Sequence, residues 1–315
     1  MKPLGLIMGL WGAGMLLAAG AAAQVPQALG EKLKAMGRVI APPATSALYA
    51  PLVLESEPYA GVRVERDIRY GEAERHLLDV FSPQMPSAKA FPVLIFVHGG
   101  GFVAGNRRAS ASSPFYDNIM LWAVRNGMVG VNMTYRLSPQ NPWPAGPADV
   151  GQGVSWVHEQ IVARGGDPSR IYLLGHSAGA THVAAYVAQE RFHKVRGSGL
   201  AGALLLSGVY RVTAELVAVS PTYPGYYGTD ASEYPARSAL DGLIATRVPL
   251  WVGGAELDPP DFESQMTLLN DSLCKAGRCP AFVRFPGHSH MSEIYSVHTD
   301  DRSVSDAMLA FIKPR

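Results

Sequence analysis

Unbroken apolar runs alternate with amphipathic stretches along most of this 315-residue chain. Pro92–Val97 is an apolar run closed by glycines, the pattern of a strand buried on both faces. Before it, Val62–Tyr70 and His76–Phe81 read as a hairpin that turns near Gly71. Helical spacing over Pro114–Asn126 leads into a strand at Met128–Met133, and helical spacing over Pro147–Arg164 into a strand at Ile171–Leu174. A helix from Ser177 to about Arg191 follows, then strands at Ala201–Leu206 and Pro249–Val252 and a helix over Asp261–Lys275. A strand at Ala281–Phe285 and a closing helix from about Asp300 complete the series. Repeated βα units of this length predict a single α/β domain, with a mostly parallel eight-stranded sheet and helices on both faces.

Three segments break the rhythm. Residues 24–60 form a helix-leaning lead-in interrupted by Pro42-Pro43. Residues 210–247 lapse into aromatics and turn formers, including Pro221, Tyr223, Pro224, Gly225, Tyr226, Tyr227 and Gly228. A loop region that long inside a compact domain is usually functional, so it is expected to form a small cap over the strand ends, where open α/β sheets bind ligands. Residues 1–23 carry one charge, Lys2, and an apolar run that ends in Ala21-Ala22-Ala23. This is the pattern of a secretory signal peptide cleaved near Ala23. It predicts a periplasmic or secreted protein with no stable membrane association once cleaved.

Charge narrows the function. The chain has 27 Lys+Arg against 26 Asp+Glu. Without a basic excess to displace counterions, a nucleic-acid partner is not expected. Because Lys2 lies in the expected leader, the mature chain is formally neutral, which suits a small uncharged substrate. Cys274 and Cys279 are the only cysteines, and a disulfide could close the short loop between them. Composition does not reveal an oligomeric state.

Gly175-His176-Ser177-Ala178-Gly179 falls between an apolar strand and a helix. A serine on so sharp a turn needs small neighbours, and it leaves its hydroxyl exposed above a helix N-terminus. His98-Gly99-Gly100-Gly101 follows directly on the strand Pro92–Val97. Acyl transfer must stabilise a tetrahedral oxyanion, and backbone N–H groups can reach it only where no side chain blocks them. Gly100, Gly101 and Ala178 are therefore the expected oxyanion donors, with Ser177 the nucleophile. Each such donor is typically worth about 3 kcal/mol in the transition state.

The base and its orienting acid should follow in the order acid, then His. The loop after Pro249–Val252 offers Glu256 and Asp258, of which Asp258, held before Pro259, is the better placed. After the last strand, His288 and His290 are both available, and His290 is preferred. A His-x-His pair can also suggest a metal, but no acidic or Cys cluster accompanies it, so neither a metal nor an organic cofactor is expected. Phe102, His176 and Tyr210 are candidates to line the substrate pocket, with Tyr226 and Tyr227 either at its entrance or in the core of the insertion.

The His98–Gly101 and Gly175–Gly179 motifs, with Tyr135-Arg136-Leu137-Ser138-Pro139, resemble those of the α/β-hydrolase serine esterases, in the hormone-sensitive-lipase-like and carboxylesterase branch. The similarity runs from about Val62 to Ile312. It implies an α/β-hydrolase fold and a Ser177–His290–Asp258 triad, because in such enzymes the acid precedes a Pro and the base ends a Gly-x-x-His pattern, here Gly287–His290. Lipase-like members read Gly-Asp-Ser-Ala-Gly at the elbow, whereas this chain has His176 there and Ala180 after the second Gly. That elbow is closer to small carboxylesterases, carbohydrate or feruloyl esterases, and arylformamidases. The expected function is hydrolysis of short or medium acyl, aryl or acetylated or feruloylated sugar esters through an acyl-enzyme. An arylformamidase-type amide hydrolase and an inactive hydrolase-like binding protein are the alternatives.

Overall fold

The computed structural model describes residues 25–53, 57–85 and 87–313. The expected leader, residues 1–23, lies outside them. Two helices, α1 (Gln27–Met36) and α2 (Pro42–Tyr49), precede the sheet. Pro42-Pro43 opens α2 rather than breaking a helix, because proline in a first turn sacrifices only an N–H that lacks a partner anyway. The alternation then runs β1 (Val62–Arg69), β2 (Leu77–Pro83), β3 (Phe91–Val97), α3 (Asp117–Arg125), β4 (Val129–Met133), α4 (Ala145–Gln160), β5 (Gly166–His176), α5 (Ala178–Ala188) and β6 (Gly202–Leu206). The 210–247 region folds as four short helices, α6 (Ala214–Val219), α7 (Tyr223–Tyr227), α8 (Tyr234–Arg237) and α9 (Leu240–Ala245). The chain closes with β7 (Leu250–Leu257), α10 (Pro260–Lys275), β8 (Ala281–Ser289), α11 (Ser292–Tyr295) and α12 (Ser303–Ile312).

The eight strands form one sheet in the order β1-β2-β4-β3-β5-β6-β7-β8. The β1–β2 and β2–β4 pairs are antiparallel and every other pair is parallel. Strand β3 lies inside the sheet and alternates its side chains between two cores. Val93, Ile95 and Val97 pack with α4, α5, α9 and α10 on one face. Leu94 and Phe96 pack with α1, α3 and α12 on the other. A strand sandwiched this way cannot afford polar positions on either side, which is why its sequence is continuously apolar. Its C-terminal end, with those of β5, β7 and β8, delivers the motif residues to one edge of the sheet.

Residues 210–247 lie over that edge. Their aromatic side chains make a third, smaller core: Tyr223, Tyr226, Tyr227 and Tyr234 pack with Val212, Leu216, Phe102, Ala178 and Phe262. Phe102 stacks on Tyr226 at 3.9 Å between ring centroids, tying the glycine loop after β3 to the insertion. Cys274, in the last turn of α10, forms a disulfide with Cys279.

Candidate active site

Ser177 joins β5 to α5 with φ +57° and ψ −125°, a conformation that L-residues adopt only when their surroundings impose it. Two glycines are needed for the close packing around it. A Cβ at Gly179 would stand 2.1 Å from the Val97 carbonyl oxygen, so α5 could not seat against the end of β3 with any other residue there. A Cβ at Gly100, whose φ is +124°, would stand 2.2 Å from the Ala104 carbonyl. The loop after β3 therefore turns back on itself next to the elbow.

Polar side chains beneath that loop hold it. His98 is fully buried, with Nδ1 2.7 Å from the Gly99 carbonyl and Nε2 2.9 Å from Thr134 Oγ1. Burial pushes its imidazole down to about 3, so it serves as a neutral peg. Tyr135 donates to the His98 carbonyl at 2.8 Å. Arg75 donates to the Gly105 carbonyl at 2.8 Å, and Arg107 pairs with Asp79 of β2 and with Asp67 of β1. Arginine suits both sites, because its planar fork satisfies several oxygens at once.

On the opposite side, Asp258 and His290 are both buried, with Asp258 Oδ1 2.7 Å from His290 Nδ1. Asp258 Oδ2 accepts from Ser207 Oγ at 2.6 Å and from the Ala255 N–H at 3.0 Å. The two alternative residues are engaged elsewhere. Glu256 is exposed and accepts the Gly287 N–H at 2.7 Å, clamping the loop that carries the histidine. His288 lies between Ser292 Oγ at 3.0 Å and Ser303 Oγ at 2.6 Å, away from the serine. His290 Nε2 is buried without a hydrogen-bond partner among the described residues, and its ring and Ser177 line the same cavity.

That cavity measures about 840 Å³. Gly99, Gly100, Gly101, Ser177, Ala178 and His290 meet in it, so the structure brings together the expected nucleophile, base and donor loop. Its walls are apolar and aromatic: Phe102, Tyr223 and Phe262 come from the insertion side, and Phe115, Tyr116 and Tyr295 from the other. Asp261 is the only lining carboxylate among the described residues. Ile40 and Pro42 from the lead-in, and Val219 and Thr222 from the insertion, also line it.

Tyr210 is a correction to the sequence reading. It is fully buried in the core beneath the sheet and is not among the residues lining the cavity. Its N–H and that of Arg211 both bond Gln265 Oε1, which turns the chain inward just after β6. Tyr226 and Tyr227 are likewise core residues of the insertion.

His176 lines the cavity but is only 1% exposed. Its Nε2 lies 2.8 Å from the His290 carbonyl oxygen and 3.3 Å from Glu293 Oε1. A nitrogen facing two oxygens carries the proton, so His176 ties the elbow to the histidine loop as a neutral donor. Burial, reinforced by neighbouring His290, holds its imidazole well below the usual range. His176, His290 and Glu293 offer ligand atoms within 4.8 Å of one another. The proton on His176 Nε2 makes that atom unfit to bind a cation. Sequence reasoning missed Ser207 and Glu293. A serine ending an apolar strand and a glutamate three residues after the histidine carry no motif of their own.

The BD-FAE family model matches residues 78–199, the stretch that carries both the glycine loop and the elbow. Esterase LipQ of Mycobacterium tuberculosis is 39% identical over 265 residues, 78% of this chain and 61% of that protein. Gibberellin receptor GID1 of rice (Oryza sativa subsp. japonica) is 35% identical over 162 residues, 47% of this chain and 43% of the receptor. The chain thus spans about three fifths of the first of these relatives and less than half of the second. Among solved structures, inhibited Esterase B from Lactobacillus rhamnosis superposes with a TM-score of 0.70 at 18% identity, over 91% of this chain and 96% of that one. The sheet order, the elbow and these likenesses agree: the chain has the α/β-hydrolase fold and is similar in sequence to an esterase over 78% of its length.

Proposed function

We propose that this protein is a serine hydrolase of carboxylic esters. The observation that carries the reading is His290, anchored at Nδ1 by Asp258 and bare at Nε2 in the cavity that Ser177 lines. With Asp258 accepting from Nδ1, the imidazole is held in the tautomer whose Nε2 can take a proton. Ser177 Oγ then attacks the acyl carbon while His290 Nε2 removes its proton, and the carbonyl π electrons move onto oxygen. The N–H groups of Gly100, Gly101 and Ala178 receive that charge, at a turn where a side chain on Gly100 has no room. Collapse expels the alkoxide, which His290 protonates, and water activated by the same nitrogen releases the acid and regenerates Ser177.

The aromatic walls, with no Lys or Arg lining them among the described residues, favour uncharged esters with aryl or medium acyl groups over anionic ones. We also propose that the protein is exported, on the strength of the apolar 1–23 segment, with the Cys274–Cys279 disulfide suited to an oxidising compartment. The decisive experiment compares p-nitrophenyl acetate, butyrate and octanoate, a feruloyl ester, an acetylated sugar and an N-formyl arylamine on the purified protein. Turnover of the formyl amide alone would replace the ester reading with an amidase. Silence on all of them, with no fluorophosphonate adduct at Ser177, would replace it with a binding function.

A further inference from the structure

Two stretches of chain that line the cavity, more than 200 positions apart, are joined by one side chain. Residues 37–41 connect α1 to α2, and among them only Arg38 has a polar side chain. Ile40 in this connector and Pro42 at the start of α2 line the cavity. So do Pro259, Pro260 and Phe262, which lead from the candidate acid into α10. Arg38 bridges the two stretches. Its Nε donates to the Asp258 carbonyl oxygen at 2.6 Å, and its Nη2 pairs with Glu263 in the first turn of α10. Glu263 Oε1 is held in turn by Arg284 of β8 at 2.5 Å.

The fold does not need this fork to seat the lead-in. Leu33 of α1 is fully buried in the core that includes Phe285 of β8, and Tyr49 of α2 is buried with its hydroxyl 3.1 Å from Asp301 Oδ2. Between these anchors Gly37 turns the chain with φ +78°, and Val39 and Ile40 are each 48% exposed. An ion pair as open as Arg38 and Glu263 adds little stability. What it fixes is geometry, because a planar guanidinium with two partners holds the connector in one place. Asp258 does not depend on it, since Ser207 Oγ and the Ala255 N–H orient its carboxylate. Ser177 is 6% exposed and Ile40 about half exposed, so the serine lies deep and Ile40 at the rim. An acetyl group on the serine stays below that rim, and a longer chain reaches it.

We propose that Arg38 is a positioning residue that sets substrate preference: by fastening the 37–41 connector to the Asp258 carbonyl and to Glu263, it holds Ile40 in place as the wall on which the far end of a medium acyl chain packs. This rests on the ester-hydrolase reading. A wall held before the substrate arrives costs nothing to order on binding, so the contact counts in full toward affinity for long chains and not at all for short ones.

The test uses Arg38→Ala, Arg38→Lys and Ile40→Ala, with exposed Arg302→Ala as a control for surface charge, and reads kcat and KM on p-nitrophenyl acetate and octanoate. Arg38→Ala should raise the ratio of the octanoate KM to the acetate KM about five- to tenfold, the loss of one or two methylenes' worth of apolar contact, with little change in kcat. Ile40→Ala should raise the same ratio, and the double variant should be no worse than the larger single effect, because both act on one wall. Arg38→Lys, a point charge that serves one partner at a time, should fall between wild type and Arg38→Ala. Amide hydrogen exchange at residues 38–41 should speed up in Arg38→Ala and stay at the wild-type rate in Arg302→Ala. Two results overturn the proposal: an unchanged KM ratio in Arg38→Ala, or an equal loss of kcat on both esters, which is what a purely structural arginine would give. Wild-type protein that turns over neither ester sinks the hydrolase reading instead, and the exchange rates then still decide whether Arg38 fastens the connector.

Discussion

His290 Nδ1 lies 2.7 Å from Asp258 Oδ1, although Glu256, two residues upstream at the end of β7, is the more exposed carboxylate. The difference is one of direction. Asp258 turns inward to the Ala255 N–H and Ser207 Oγ, while Glu256 turns outward to the Gly287 N–H. One acid orients the ring and the other ties down the loop that carries it.

Asp258→Asn should therefore lower kcat about ten-thousandfold, because the amide imposes the wrong imidazole tautomer. Glu256→Gln should stay within about tenfold of wild type. Steady-state kinetics on a p-nitrophenyl ester would check both, and the reverse ranking would move the acid to Glu256.

Ser177→Ala should remove turnover, leaving at most about a millionth of kcat, with the melting temperature within a few degrees of wild type. The methyl side chain still tolerates the elbow that Gly179 makes possible. Ester hydrolysis at an undiminished rate in this variant would end the nucleophile assignment.

Gly100→Ala should cost activity out of proportion to stability. The added Cβ meets the Ala104 carbonyl at 2.2 Å, so the loop must shift and its N–H groups leave their positions. Losing one oxyanion donor typically lowers kcat about 10²- to 10³-fold. A variant with normal kcat would place the oxyanion elsewhere.

Acid should destabilise the fold well before the carboxylates titrate. Burial lowers His98 and His182 to about 3 and His288 to about 4, and drives His176 down as well. Each must bind a proton on unfolding below its unfolded value near 6.5, so each adds stability above that pH that is lost as pH falls toward its folded value. One such proton changes stability by about 1.4 kcal/mol per pH unit. Glu293, raised by burial above the usual carboxylate range, works in the opposite direction and offsets part of that loss. The melting temperature should therefore fall steadily from pH 6.5 to pH 5. A flat profile over that range would show that these imidazoles are charged in the folded state.

The order of strands and helices, the elbow and the glycine loop were legible in the sequence because each is local. An apolar run such as Pro92–Val97 reports its burial directly, and Gly175–Gly179 reports a turn that only small residues permit. Boundaries drifted where register rather than composition sets them. Strand β5 begins at Gly166, ahead of the expected Ile171, and α11 had no periodic signal to reveal it in four residues. The choice between Asp258 and Glu256, the inward burial of Tyr210 and the grouping of Ser207, His176 and Glu293 behind the histidine depended on the tertiary fold. Those residues sit on separate strands, loops and a short helix, up to 117 positions apart by number between His176 and Glu293, and no pattern along the chain records which of them will meet. The sheet brings them together, and the low dielectric inside it decides which are charged and which stay neutral.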